Sequence, residues 1–198
     1  MTASRFAAAL FVAALLFSAI PSPAQQSQAQ QPQTQPQARL AAPIANTSRA
    51  TIAGSQPPRA RLAQDVGAVD SSTPLQSITM YFSRSTQQQA DLDALIAAQQ
   101  NPSSPQFHQW LTPADFGARF GLADADIAKT EAWLQSQGFT VQSVSPSRNS
   151  VSFSGTASAA ASAFGAPLHR YTLNGESHIA PSADLSLPAA LAVIVSDV

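Results

Sequence analysis

Between Phe107 and Phe139 the chain reads FHQWLTPADFGARFGLADADIAKTEAWLQSQGF, and this stretch constrains the fold more than any other. It holds both tryptophans and the clearest helix punctuation in the sequence. Thr112 is placed as an N-cap, Pro113 sits at the first helical position, where its missing N–H costs nothing, and Asp115 can reach back in a capping box. Leu111 and Phe116 are spaced as a hydrophobic staple, and Phe120 lies one turn further on the same face. Gly121 ends that helix. A second helix is predicted over about Ala125 to Gln137, with Asp124 as a possible cap and Gly138 beyond its end. At about 100° per residue, Ile127, Thr130, Trp133 and Leu134 share one side of it. The unit is a helix–turn–helix with an aromatic-rich buried face. DNA is excluded as its partner by charge, because Arg119 and Lys129 are its only basic residues and cannot neutralise a phosphate track.

Around this unit the chain divides by composition. Arg5 precedes an apolar run from Phe6 to Ile20, followed by Pro21 and the small-residue site Ser22-Pro23-Ala24. This reads as a secretory signal peptide over 1–24, since the run is shorter than the ~20 residues a membrane span requires. Residues 25–61 are rich in Gln and Pro, with no apolar periodicity, and are expected to form a disordered linker. An ordered domain is then predicted over 62–180, with 181–198 as an exposed C-terminal tail.

Charge follows the same division. Residues 1–64 carry five arginines and no acid, whereas 65–198 carry nine Asp and two Glu against four Arg and one Lys, so −11 + 5 = −6. An acidic domain suits a basic or neutral partner better than nucleic acid or an anionic membrane. Cysteine is absent, which excludes disulfides and thiolate metal sites.

Inside the domain, Ile78, Met80 and Phe82 alternate with Thr79, Tyr81 and Ser83 in a strand with one core face. Ser85 with Gln88 opens a helix to about Gln99 that buries Leu92, Leu95 and Ile96. Past the central unit, Phe139 to Val144 and the segment around Val151 and Phe153 form an antiparallel pair about the turn Pro146–Asn149. Gly155-Thr156 caps a short helix closed by Gly165. Leu168 to Leu173 is a fourth strand, and Asn174-Gly175 is the strongest hairpin signal in the chain. Strand, helices, strand, strand, helix, strand gives an α+β fold. Its natural packing is a split βαβ (ferredoxin-like) antiparallel sheet with helices on one face.

The chain carries no evident nucleophile–base–acid set. His108, His169 and His178 are isolated and lack metal-ligand spacing, so no metal or cofactor is expected. His108 reads as a packed loop histidine. Asp91 with Asp93, and Asp124 with Asp126, stand two apart and face different sides of their helices, as solvated or dipole-favoured acids would. No phosphate loop or dinucleotide fingerprint occurs.

The runs SPQFHQWLTPADF from Ser104 to Phe116, Phe120-Gly121-Leu122, and WLQSQGF from Trp133 to Phe139 resemble the activation pro-domain of kumamolisin-type sedolisin peptidases, the serine-carboxyl peptidases. The likeness runs from about Asp65 to Val198 and includes Thr73-Pro74-Leu75 and the junction Val151 to Thr156. It departs at Ala123, where related sequences more often place a capping Ser or Thr. The resemblance implies a pro-domain that assists folding of a peptidase catalytic domain and inhibits it until acid-triggered removal. The catalytic machinery it implies is a Glu–Asp pair and a serine in a Ser-Gly-Thr-Ser motif. Ser154-Gly155-Thr156-Ala157 imitates that motif with Ala157 at the nucleophile position, and it falls at a strand-to-helix junction, so it reads as a decoy. No catalytic residue is expected in this chain, and residues 1–198 do not supply the catalytic domain itself: a truncated product, a fragment of a longer precursor and a stand-alone pro-domain all fit.

The expected product is thus exported, non-catalytic, and partnered by a sedolisin-type catalytic domain in cis or in trans, without nucleic acid or stable membrane insertion. The alternative is a secreted binding or adhesion module on a flexible tether, in which Tyr81, Trp110 and Tyr171 would form a stacking surface.

Overall fold

The computed structural model describes residues 35–198; the signal-peptide expectation lies outside them, as does the linker up to Thr34. The described chain begins with β1 (Arg49–Thr51), α1 (Pro58–Leu62), β2 (Gln64–Ala68) and β3 (Pro74–Phe82). The helices α2 (Thr86–Gln100), α3 (Pro113–Phe120) and α4 (Asp124–Ser136) follow, then β4 (Thr140–Val144), β5 (Ser150–Thr156) and α5 (Ala157–Phe164). Then come β6 (Leu168–Leu173), β7 (Glu176–Pro181), β8 (Ser186–Pro188), α6 (Ala189–Ala192) and β9 (Val195–Asp197).

The main sheet has four antiparallel strands in the order β4-β5-β3-β9. Numbered by their place in the chain, these are the second, third, first and fourth strands of the sheet, which is the split βαβ order. Alternation along the strands decides which face is buried. Met80 and Phe82 of β3 and Val151 and Phe153 of β5 point into the core. The helices α4 and α5 close that side: Trp133 meets Phe164 edge-on at 6.2 Å, and Phe139 lies 4.9 Å from Phe153 and 5.7 Å from Phe164. Burying each such side chain stabilises the fold by about 1.5–3 kcal/mol.

The expected local signals form. Ser85 accepts from the Gln88 amide at 3.2 Å while the Gln88 side chain accepts from the Ser85 amide at 2.9 Å. Thr112 accepts from the Asp115 amide at 3.1 Å, although the Asp115 carboxylate takes the Thr112 hydroxyl at 2.6 Å rather than the cap's backbone N–H. Asn174 and Gly175 both adopt positive φ, 53° and 86°, and turn β6 into β7. Gly121 stops α3 in an extended conformation, φ −78°, and its role is close approach: a Cβ there would lie 2.5 Å from that of Arg148.

Five expectations need correction. The first concerns the linker, expected to be disordered through residue 61. Leu40 is buried, β1 pairs with β8, and Asn46 accepts from the Trp133 indole at 3.0 Å, so the chain packs well before Leu62. Its low hydrophobicity concealed contacts made by backbone and single side chains. The second is the C-terminal tail, 181–198. Leu187, Leu191 and Ile194 are fully buried, and β9 completes the main sheet.

The third follows from the second: Leu168 to Leu173 belongs to a separate three-stranded sheet, order β2-β6-β7. The fourth is the start of α4, where Ala123 stands at the N-cap with no side-chain hydrogen bond, and Asp124 pairs with Arg148 at 3.2 Å. Asp126, expected in solvent, is fully buried and accepts from the amides of Arg39 and Leu40. The fifth is α2, where Leu95 and Gln99 turn inward and Ile96 is 43% exposed. Gln99 binds the 101–110 loop through both amide ends of its residue, donating from its side chain to Gln109 O and accepting at its carbonyl from the His108 amide.

Candidate functional site

The side of the main sheet away from α4 and α5 presents Thr79 and Tyr81 from β3 and Ser150, Ser152 and Ser154 from β5. Thr140 and Ser143 extend it on β4, opposite Ser154 and Ser152, and Asp197 on β9 stands opposite Tyr81. These follow directly from strand alternation, since every neighbour of Met80, Phe82, Val151 and Phe153 along the strands faces outward. Tyr81 is 49% exposed, and Thr79 and Ser152 hydroxyls approach at 3.4 Å. Asp197 is the one charged side chain of this set. Where each hydroxyl finds a hydrogen-bond partner, hydroxyls with an aromatic ring and one carboxylate make a surface that costs less to desolvate than a sheet face carrying Lys and Glu.

Beside this face the β3 strand bulges between Leu75 and Ile78, where Ser77 takes φ 57°. On the side of β3 that carries Ile78 and faces α5, a groove of about 510 Å3 lies between the main sheet and the β6–β7 hairpin, lined by Leu75, Ile78, Phe164, Leu168, Ile179 and Val198 among others.

The groups singled out as possible chemistry have structural roles. A Cβ on Gly155 would lie 2.5 Å from the Phe139 ring, so glycine is needed for that ring to reach Phe153. Thr156 accepts from the Ala159 amide at 3.2 Å as the N-cap of α5, and Ala157 is buried. The Ser154-Gly155-Thr156-Ala157 run is therefore a strand end, a close approach and a helix cap.

The histidines do not converge. His169 contacts Asp65 at 2.8 Å, joining β6 to β2, and His178 lies 3.6 Å from Glu176 on β7. His108 is exposed rather than packed, with φ 55°, stacked on Phe107 at 3.7 Å and facing Trp110 at 5.7 Å. Asp91 and Asp93 are exposed and accept from Gln87 and Gln89, each at 2.8 Å. The three aromatics of the adhesion reading do not form a row: Trp110 is 70% exposed, but Tyr171 is buried at 5%.

Three carboxyls are held below the ordinary carboxylate range. The His169 side chain, then the Gly67 amide, lower Asp65. Ser72 does the same for Asp70 through its hydroxyl and amide. The amides of Gln56 and Gly54, with a smaller contribution from Arg61, lower Asp184. Each hydrogen bond favours the ionised form.

Xanthomonalisin from Xanthomonas sp. (strain T-22) is 36% identical over 100 residues, covering 50% of this chain and 12% of that protein. Sedolisin from Pseudomonas sp. (strain 101) is 34% identical over 110 residues, covering 56% of this chain and 19% of its own length. The chain thus matches only a minor part of each of these relatives. The family described as Pro-kumamolisin, activation domain, matches residues 62–198, more than half of the chain, and the protein belongs to that family.

Proposed function

We propose that this protein is the exported pro-domain of a sedolisin-type acid peptidase, and that it assists folding of the catalytic domain and inhibits it until acid removes it. Family membership supports the partner class, and the open hydroxyl face of the main sheet carries the reading. A sheet face without Lys or Glu suits burial against a second protein, and Tyr81 is an anchor of the kind that dominates such interfaces. The local structural duties of the Ser154-Gly155-Thr156-Ala157 run support a non-catalytic role. Export rests on the signal-like residues 1–24.

The test is inhibition. The protein lacking residues 1–24 is added to a sedolisin-type catalytic domain at pH 6 and pH 3. Inhibition at pH 6 that weakens at pH 3 is expected. No inhibition at either pH contradicts the proposal.

A further inference from the structure

Residues 39–56 lie across the domain as a strap, and a carboxylate holds each end by backbone amides. At its start, Asp126 accepts from the Arg39 amide at 2.6 Å and the Leu40 amide at 3.0 Å. At its end, Asp184 accepts from the Gly54 amide at 3.0 Å and the Gln56 amide at 2.9 Å, with Arg61 at 3.5 Å. Between these points the strap grips the last fifteen residues of the chain. β1 pairs with β8, the Ile52 amide donates to Leu185 O at 2.8 Å, and the Ala189 amide donates to Ser48 O at 2.8 Å. Arg49 donates to Ala163 O at 2.7 Å and to the Ser186 hydroxyl at 3.0 Å, fixing the end of α5 to β8. The Arg39 guanidinium binds Ser83 O and reaches Val193 O at 3.5 Å, just before β9. The segment that supplies the last strand of the main sheet is therefore held in place from both ends by a stretch that lies before the family match at residue 62.

We propose that residues 39–56 form an acid-opened clasp, released at its Asp184 end, whose opening ends the strap's hold on residues 184–189 while Leu187, Leu191 and Ile194 stay packed in the core. The geometry makes Asp184 the weaker pin. It is partly exposed, and its ionised form is what two amides and a guanidinium recognise, whereas Asp126 is enclosed. Arg61 of α1 is the charged group facing Asp184; Gly54, Ser55, Gln56 and Ser182 around it are uncharged. Arg39 and Lys129 stand near Asp126, and Lys129 donates to Leu40 O, so the near end is secured twice.

The sign is set by the lowered Asp184 carboxyl. A depressed carboxylate contributes stability above its unfolded value, near 3.8, and loses it as pH falls through its folded value. Opening is therefore confined to strongly acidic solution. The clasp itself is a property of this chain alone; its consequence, release of a bound peptidase, rests on the function proposed above.

Hydrogen-exchange protection factors test it without any peptidase. They are measured on the purified chain at pH 6 and pH 3, corrected for intrinsic rates. Between these pH values the amides of Ile52, Gly54, Gln56 and Ala189 are expected to lose protection several-fold, and core amides of α4 and β5 to lose clearly less. D184N is expected to show the open pattern already at pH 6, with little further change at pH 3. Retained protection at all four amides at pH 3 overturns the clasp, and so does an equal loss of protection throughout the domain. D184N matching wild type at pH 6 overturns the assignment to Asp184. If D184N fails to fold, R61Q removes the guanidinium and leaves both amides in place. A partial loss of protection at pH 6 with a further loss at pH 3 is then expected, and wild-type protection at both pH values overturns the assignment.

Discussion

Asp126 is the residue on which the N-terminal strap depends most. It is fully buried, and its two oxygens accept from two consecutive amides, so the helix that carries it is joined to a chain segment more than eighty residues away. Asp126→Ala leaves both amides without an acceptor, and a loss of about 1–3 kcal/mol is expected in urea unfolding. An unchanged midpoint would show that the strap contributes nothing to the fold. Gly155 is the second sensitive position. The Phe139 ring that a Cβ would strike is packed between Phe153 and Phe164 and cannot swing away. Gly155→Val is therefore expected to destabilise by about 1–3 kcal/mol through overpacking, measured in the same titration.

Among the elements, those with signals confined to a few neighbouring residues were legible in the sequence. The Ser85–Gln88 box, the Thr112-Pro113 start and the Asn174-Gly175 turn each depend on residues within one turn, and each forms. Gln88 does more than cap: its side-chain amide donates to Gly121 O at 2.8 Å and ties α2 to the end of α3. Ser85→Ala should therefore cost about 1 kcal/mol, read as a shift of the urea midpoint. Elements that exist only through distant partners were not legible. β1 and β9 are three residues each, too short for periodicity, and pair with β8 and β3 far along the chain. His108 misled for a related reason: its aromatic neighbours suggest a packed loop histidine, yet it is exposed and stacks between Phe107 and the exposed Trp110. The hydroxyl face was legible in part, because alternation predicts its residues but not that β9 would border it. Deleting residues 187–198 removes the buried Leu187, Leu191 and Ile194 together with the edge strand. Loss of the near-UV circular dichroism signal is expected; a native spectrum would mean the segment is dispensable.

For the whole molecule, an acidic domain closed by lowered carboxyls loses stability in acid. Asp65, held by His169 and Gly67, Asp70, held by Ser72, and Asp184, held by Gln56 and Gly54, each contribute above the ordinary 3.8 and lose that contribution as pH falls through their lower folded values. The Tm is expected to change little between pH 6 and pH 5 and to fall below about pH 4, as followed by calorimetry. In the proposed docking through the sheet face this loss would serve release, since a loosened pro-domain holds a partner less tightly. The most direct test is a charge placed on that face. Ser152 lies at its centre, outward between Thr79 and Ser143, so S152R leaves the core untouched. Its inhibition constant against a sedolisin-type catalytic domain at pH 6 is compared with that of the wild-type protein. The predicted result is inhibition weakened at least tenfold with an unchanged Tm, while equal inhibition by the two proteins would contradict docking through this face.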